Sequence, residues 1–152
     1  MSKNKGFTLI EIVAGFGIVC VLGMQLLPML FSFTNYYRRQ KVHTTCRLLV
    51  TDLGLLQSLA YYANRNGQVA SLTLEPKGSG YSIYGIKSYK KTVNFAQRGL
   101  GDIKIEGLQV ARFLPGGVPE QPGSFKIYHV DNTVKKRVYI QPVSGRIVVK
   151  DE

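Results

Sequence analysis

Tryptophan is absent from the 152 residues, and cysteine and histidine occur only twice each. Two cysteines cannot supply the multi-bridge framework of a small disulfide-stapled domain. Cys20 lies in an apolar run and Cys46 beyond it; along one straight helix they would stand about 39 Å apart, too far to bridge. Both read as small apolar packing residues. His43 and His129 form no zinc-ligand spacing and read as surface or packing residues. Also missing are a GxSxG elbow, an HExxH pair, a CxxC pair and a phosphate-cradling glycine loop ahead of a helix. Nothing here supports catalysis, a cofactor or a metal, and the chain reads as a non-enzyme. Glycines 78, 80, 99, 101, 116 and 117 read as turn residues. Acidic side chains are scarce, 9 Asp and Glu against 20 Lys and Arg, for a net charge of +11. Such an excess favours polyanions, either nucleic acid or anionic lipid headgroups.

Charge is scarcest between Phe7 and Phe33, where Glu11 is the single ionised side chain. As a helix this run extends about 40 Å at 1.5 Å per residue, more than the roughly 30 Å hydrocarbon core of a bilayer. It also exceeds the roughly 7 to 15 apolar residues of a secretory signal peptide. A mid-membrane carboxylate costs about 2.5 to 3.5 kcal/mol, so Glu11 calls for a cationic partner. A cut between Gly6 and Phe7 would place a new amine about one helical turn from it, on the same chain or on a packed neighbour. The alternative is an acid near the helix start that favours the macrodipole and snorkels to the interface. Pro28 removes one backbone donor and bends or breaks the helix; proline is also common in membrane helices generally.

Beyond this run, Tyr36 and Tyr37 followed by Arg38, Arg39 and Lys41 read as an interface belt. Apolar residues then recur at Val42, Cys46, Leu49, Leu53, Leu56, Ala60 and Ala63, a helical stripe that Leu48, Leu55, Leu59 and Tyr62 widen for packing on a sheet. Arg47, Asp52, Gln57 and Arg65 are assigned to the opposite face. The helix should end near Asn64 to Gly67. After it the period changes to two. Residues 69–74 and 81–86 read as a hairpin around the turn Pro76 to Gly80, and 87–101 as a strand with an exposed loop. Further strands are expected at 103–106, 108–113, 125–130, 137–141 and 146–150. Pro115 to Gly123 is a loop, with turns at Asp131 and Asn132 and at Ser144 and Gly145.

The basic leader followed by Gly6, Phe7, Thr8, Leu9, Ile10 and Glu11 resembles the prepilin signal of type IV pilins and type II secretion pseudopilins. The helix running into a strand, Leu53 to Ala63 and then Gln68 to Leu74, and the closing Gly145, Arg146, Ile147, Val148 and Val149 resemble the GspH/FimT group of minor pilins and pseudopilins. The resemblance implies an α+β fold, one long N-terminal helix packed on an antiparallel β-sheet head. It divides the chain into a leader at 1–6, a transmembrane and filament-core helix at 7–33, an amphipathic continuation at 34–66 and a β-rich head at 67–152. Also implied are cleavage after Gly6 by a prepilin peptidase, N-methylation of Phe7, and assembly roles for Glu11 and Pro28. The chain would be a single-pass protein of the bacterial cytoplasmic membrane, N-terminus cytoplasmic and head outside, taken into a pilus or pseudopilus by an inner-membrane assembly platform and other pilins. Charge alone does not fix this orientation, since lysines precede the apolar run and three basic residues follow it.

Basic residues interleaved with tyrosine are the remaining candidates. Lys90 and Lys91, Lys135, Lys136 and Arg137, and Arg146 with Lys150 could neutralise phosphates while tyrosines stack on bases. This is the alternative reading, a competence-pilus minor pilin that binds DNA for uptake. A solvated surface and edge-strand lysines that discourage unwanted pairing account for the same residues. Val148 stands where DNA-uptake members of the resembled group often carry a second arginine.

Overall fold

The computed structural model describes residues 8–62, 69–85 and 89–152. The leader, Gly6, Phe7, Ala63, Arg65, the expected helix end at Asn64 to Gly67, Ile86 and Lys87 lie outside the described residues. One helix, α1 (Leu9–Tyr62), precedes eight strands: β1 (Ala70–Leu74), β2 (Gly80–Tyr84), β3 (Lys90–Asn94), β4 (Ile103–Gly107), β5 (Val110–Phe113), β6 (Gly123–His129), β7 (Lys135–Ile140) and β8 (Ile147–Asp151). The chain forms two compact units, divided between Tyr37 and Arg38.

In the first unit the described residues are helical from Leu9, and their side chains are exposed throughout. The helix is long and apolar enough to cross a membrane. Of the bend or break expected at Pro28, a break is not there: the helix continues through it. Proline at that position removes only the amide that would bond the Met24 carbonyl. One turn on, the Ser32 hydroxyl bonds back to the Pro28 carbonyl at 3.0 Å.

The second unit joins the rest of α1 to two antiparallel sheets. Sheet A has the order β3-β2-β1-β5, and sheet B the order β4-β6-β7-β8. The α+β expectation with an antiparallel head therefore holds, and the strands divide between two sheets. Val42, Cys46, Leu49, Leu53, Leu56 and Ala60 of the helical stripe are all buried. They share one core with Leu72, Ile83 and Phe113 of sheet A and Ile105, Phe125, Ile127 and Val138 of sheet B. Each buried leucine of the stripe is worth about 2 to 5 kcal/mol against alanine. The stripe is narrower than expected, for Leu55 and Tyr62 are exposed. Both cysteines are free thiols, Cys46 being buried in this core and Cys20 exposed.

Arg38 and Lys41 of the expected headgroup belt meet carboxylates of the head: Arg38 to Asp131 at 2.9 Å and Lys41 to Asp102 at 2.8 Å. Turns beside the strands bring these acids within reach of the helix. Lys136 pairs with Asp151 at 2.7 Å. Three aspartate pKa values are depressed, Asp102 by the Lys41 hydrogen bond and Asp151 by that of Lys136. Asp131, held chiefly by the Thr133 hydroxyl, falls from 3.8 to about 2. In this acid range the unfolded chain binds more protons than the folded one. The stabilisation is therefore complete above the unfolded values near pH 4 and lost as pH falls through the folded ones. Thermal unfolding of the chain should show a flat midpoint above about pH 5 and a falling one between about pH 4 and pH 2.

Candidate functional site

Thr8 and Glu11 form a closed cap at the start of α1. The Glu11 carboxylate accepts from the Thr8 amide and hydroxyl, both at 2.9 Å, and the Glu11 amide donates to Thr8 Oγ1 at 3.4 Å. This is the reciprocal pattern of a Thr-x-x-Glu capping box, written in Thr8, Leu9, Ile10 and Glu11 but not recognised from them. It supplies a third kind of partner for the carboxylate, beside an amine or water.

The seven basic candidates do not form one site. Lys90 and Lys91 lie on β3, an edge of sheet A, and Lys135, Lys136, Arg137 and Lys150 on β7 and β8 of sheet B. Lys91 is engaged inward, its ammonium 2.6 Å from Asp52 Oδ1. That places Asp52 in the protein interior, 3% exposed, and corrects its assignment to the solvent face of the helix. The Tyr81 hydroxyl donates to its other oxygen at 2.9 Å. Burial, followed by the Asp52 charge, pushes the Tyr81 pKa far up. Gln57, also assigned outward, is half-buried and donates to the Gly117 carbonyl at 3.0 Å. Arg146 is exposed at the β7–β8 corner. Lys136 alternates with Arg137, on the face that Val138 shares with the core after the next step of the strand.

What does converge is the other face of sheet B. The register places Lys104, Tyr128 and Lys135 in one row across β4, β6 and β7. The next row is Glu106, Lys126, Arg137 and Lys150, and the third is Ser124, Tyr139 and Val148. Lys104 and Lys126 were missed in the sequence, although each sits at a polar step of a strand that alternates with isoleucine or phenylalanine. Lys126 lies 5.6 Å from the Tyr128 ring centre, and Arg137 and Lys150 lie 5.9 and 5.7 Å from that of Tyr139. These distances are near the 6 Å limit for a cation–π contact. Two carboxylates share the face: Glu106 accepts from the Tyr128 hydroxyl, and Glu152 meets Arg137 at 2.6 Å. Arg137 Nε is buried without an acceptor among the described residues. A recess of about 500 Å³ opens beside Tyr139, lined also by Pro122, Ser124, Pro142 and Val148. Among the described residues no three His, Cys, Asp or Glu side chains are grouped to hold a metal ion.

No protein-family model and no curated protein sequence matches the chain. A solved structure does. The minor pseudopilin EpsH from the Type 2 Secretion System of Vibrio cholerae superposes with a TM-score of 0.56 over 73% of this chain and 97% of that one, at 11% sequence identity. A long N-terminal helix followed by antiparallel sheets is thus consistent with the fold of a minor pseudopilin.

Proposed function

We propose that the chain is a minor pilin or pseudopilin, a structural subunit of a type IV pilus or type II secretion pseudopilus. One observation carries the reading: the apolar half of α1 exposes all its described side chains in a chain whose fold is that of a minor pseudopilin. Such a surface belongs in lipid or against other helices of the same kind. Before assembly the helix crosses the cytoplasmic membrane, with the N-terminus in the cytoplasm and the head outside. Prepilin peptidase cuts after Gly6, Phe7 is N-methylated, and the assembly platform moves the subunit into a filament with other pilins. There Glu11 leaves Thr8 for a neighbour's terminal amine, and the helix around Pro28 packs in the filament core.

Intact mass and N-terminal sequencing of the protein from membranes of its native host test this, with and without the peptidase. A methylated start at Phe7 that depends on the peptidase is the expected result. An unprocessed start in both strains would return the chain to an ordinary membrane-anchored domain. The competence-pilus reading is favoured by one observation of its own, the cations and tyrosines on the outer face of sheet B.

A further inference from the structure

We propose that the outer face of sheet B is a binding site for single-stranded nucleic acid, with Tyr128 and Tyr139 as base platforms and the row Lys126, Arg137 and Lys150 as the phosphate track between them. The proposal deepens the competence-pilus reading and rests on it for its biological setting; the binding itself is independent of filament assembly.

The geometry points to a single strand through three features. The tyrosines stand on β6 and β7, the two central strands of a four-stranded antiparallel sheet. Aromatic rings on the open face of such a sheet are a general means of stacking unpaired bases. Along the strands, Tyr128 and Tyr139 are separated by four residues of register, about 13 Å at 3.3 Å per residue. The cationic row crosses the sheet midway, with neighbouring strands about 4.8 Å apart. A chain laid from one ring to the other therefore passes its phosphates over Lys126, Arg137 and Lys150.

Second, the surface favours anions without being closed by its own acids. Lys104 and Lys135 flank Tyr128 in its row, so the face carries five cations against Glu106 and Glu152. Glu152 holds Arg137 and would be exchanged for phosphate. Third, the tyrosine rings are only loosely covered, at 5.6 to 5.9 Å from their cations. A base displaces little by stacking there, and the recess beside Tyr139 has room for it. A duplex hides its base faces and can use only the cations.

The test is fluorescence anisotropy with the full-length chain in detergent micelles, using labelled oligothymidine of about 20 nucleotides, an abasic oligomer of equal length, a duplex and heparin. Oligothymidine should bind about tenfold more tightly than the abasic oligomer, which carries the same phosphates without bases. Tyr128→Ala and Tyr139→Ala should each weaken it about fivefold or more, whereas Tyr128→Phe and Tyr139→Phe should stay within about twofold. A combined Lys126→Ala, Arg137→Ala and Lys150→Ala variant should reduce the slope of log affinity against log salt by about 2. The abasic comparison needs no variant and so remains decisive if an alanine variant fails to fold. Equal binding of the abasic oligomer, or of duplex or heparin, would reduce the face to a non-selective polyanion surface and overturn the proposal. So would absence of oligothymidine binding. Processing at Phe7 is read in cells by mass, so failure of the filament reading and failure of this site are separate results.

Discussion

Replacing Asp52 with alanine is expected to destabilise the protein by about 3 kcal/mol. The carboxylate is almost fully enclosed and accepts from the Tyr81 hydroxyl and the Lys91 ammonium. Its removal strands both donors at once. Tyr81 is fully buried and has no water to turn to, whereas the Lys91 side chain is 33% exposed and recovers part of its hydration. The cost therefore sits at the lower end of the range for breaking a buried pair, about 3 to 5 kcal/mol. Lys91→Ala should cost at least as much, because the charge it leaves behind is the less exposed of the two. Tyr81→Phe removes one hydrogen bond to a charged acceptor, about 1.5 to 3 kcal/mol. Denaturant unfolding of the three variants and the Asp52, Lys91 double variant gives the coupling directly. A coupling near zero would show that the lysine holds nothing in the interior and is available to a ligand at the edge of sheet A.

The same three residues mark where sequence reasoning stopped. The stripe from Val42 to Ala60 was legible because its apolar steps follow the helical period, and every described member is buried. Asp52 was legible too, in principle. At 100° per residue it lies about 40° from Leu56 and so within the buried sector, as does the buried Thr45 between Val42 and Leu49. Sorting by polarity in place of angle put it on the wrong face. Its partners were not readable, because Lys91 and Tyr81 come from strands 39 and 29 residues away. The strands themselves were found from alternation and turn residues. The β1–β2 hairpin was readable from its turn and is there, but the division into two sheets was hidden, since period two says which side chains share a face of one strand and nothing about which distant strands pair.

That limit bears on the basic residues most. Clusters of adjacent residues such as Lys90 with Lys91, or Lys135 to Arg137, draw attention in a sequence, yet adjacent residues on a strand point to opposite faces. Lys136 is accordingly paired with Asp151 and separated from Arg137. Lys104, Lys126 and Lys150 are scattered along the chain and come onto one face of sheet B only through register. Charge composition expresses only a net preference for polyanions, whereas pairing selects which residues can act together. Arg38 and Lys41 belong to the helix, where Asp131 and Asp102 hold them, and are not part of those rows.

Gly107→Ala is expected to cost more than about 3 kcal/mol, or to prevent folding. Gly107 ends β4, and the next strand, β5, belongs to the other sheet. The chain makes this transfer with Gly107 at φ +127°, and a Cβ there would lie 2.1 Å from the Ser124 carbonyl oxygen and 3.2 Å from Phe125 Cα. Those are backbone atoms of β6, and the neighbouring Leu108 amide bonds that same carbonyl at 3.1 Å. The side chain cannot be accommodated by a rotamer change; β4 must move away from β6. Gly99 supplies the control, with φ +70° and open space where a Cβ would go. Alanine there carries only the conformational penalty, about 1 to 2 kcal/mol. Denaturant midpoints of the two variants separate strain from collision, and similar values would show that β6 yields at Ser124. A collision would also loosen the row that joins Lys104 to Tyr128 and Lys135, since β4 contributes its first residue. Oligothymidine affinity should then fall in any Gly107→Ala protein that still folds, while Gly99→Ala retains it, because the register of sheet B is what holds the two tyrosines and the cations in one surface.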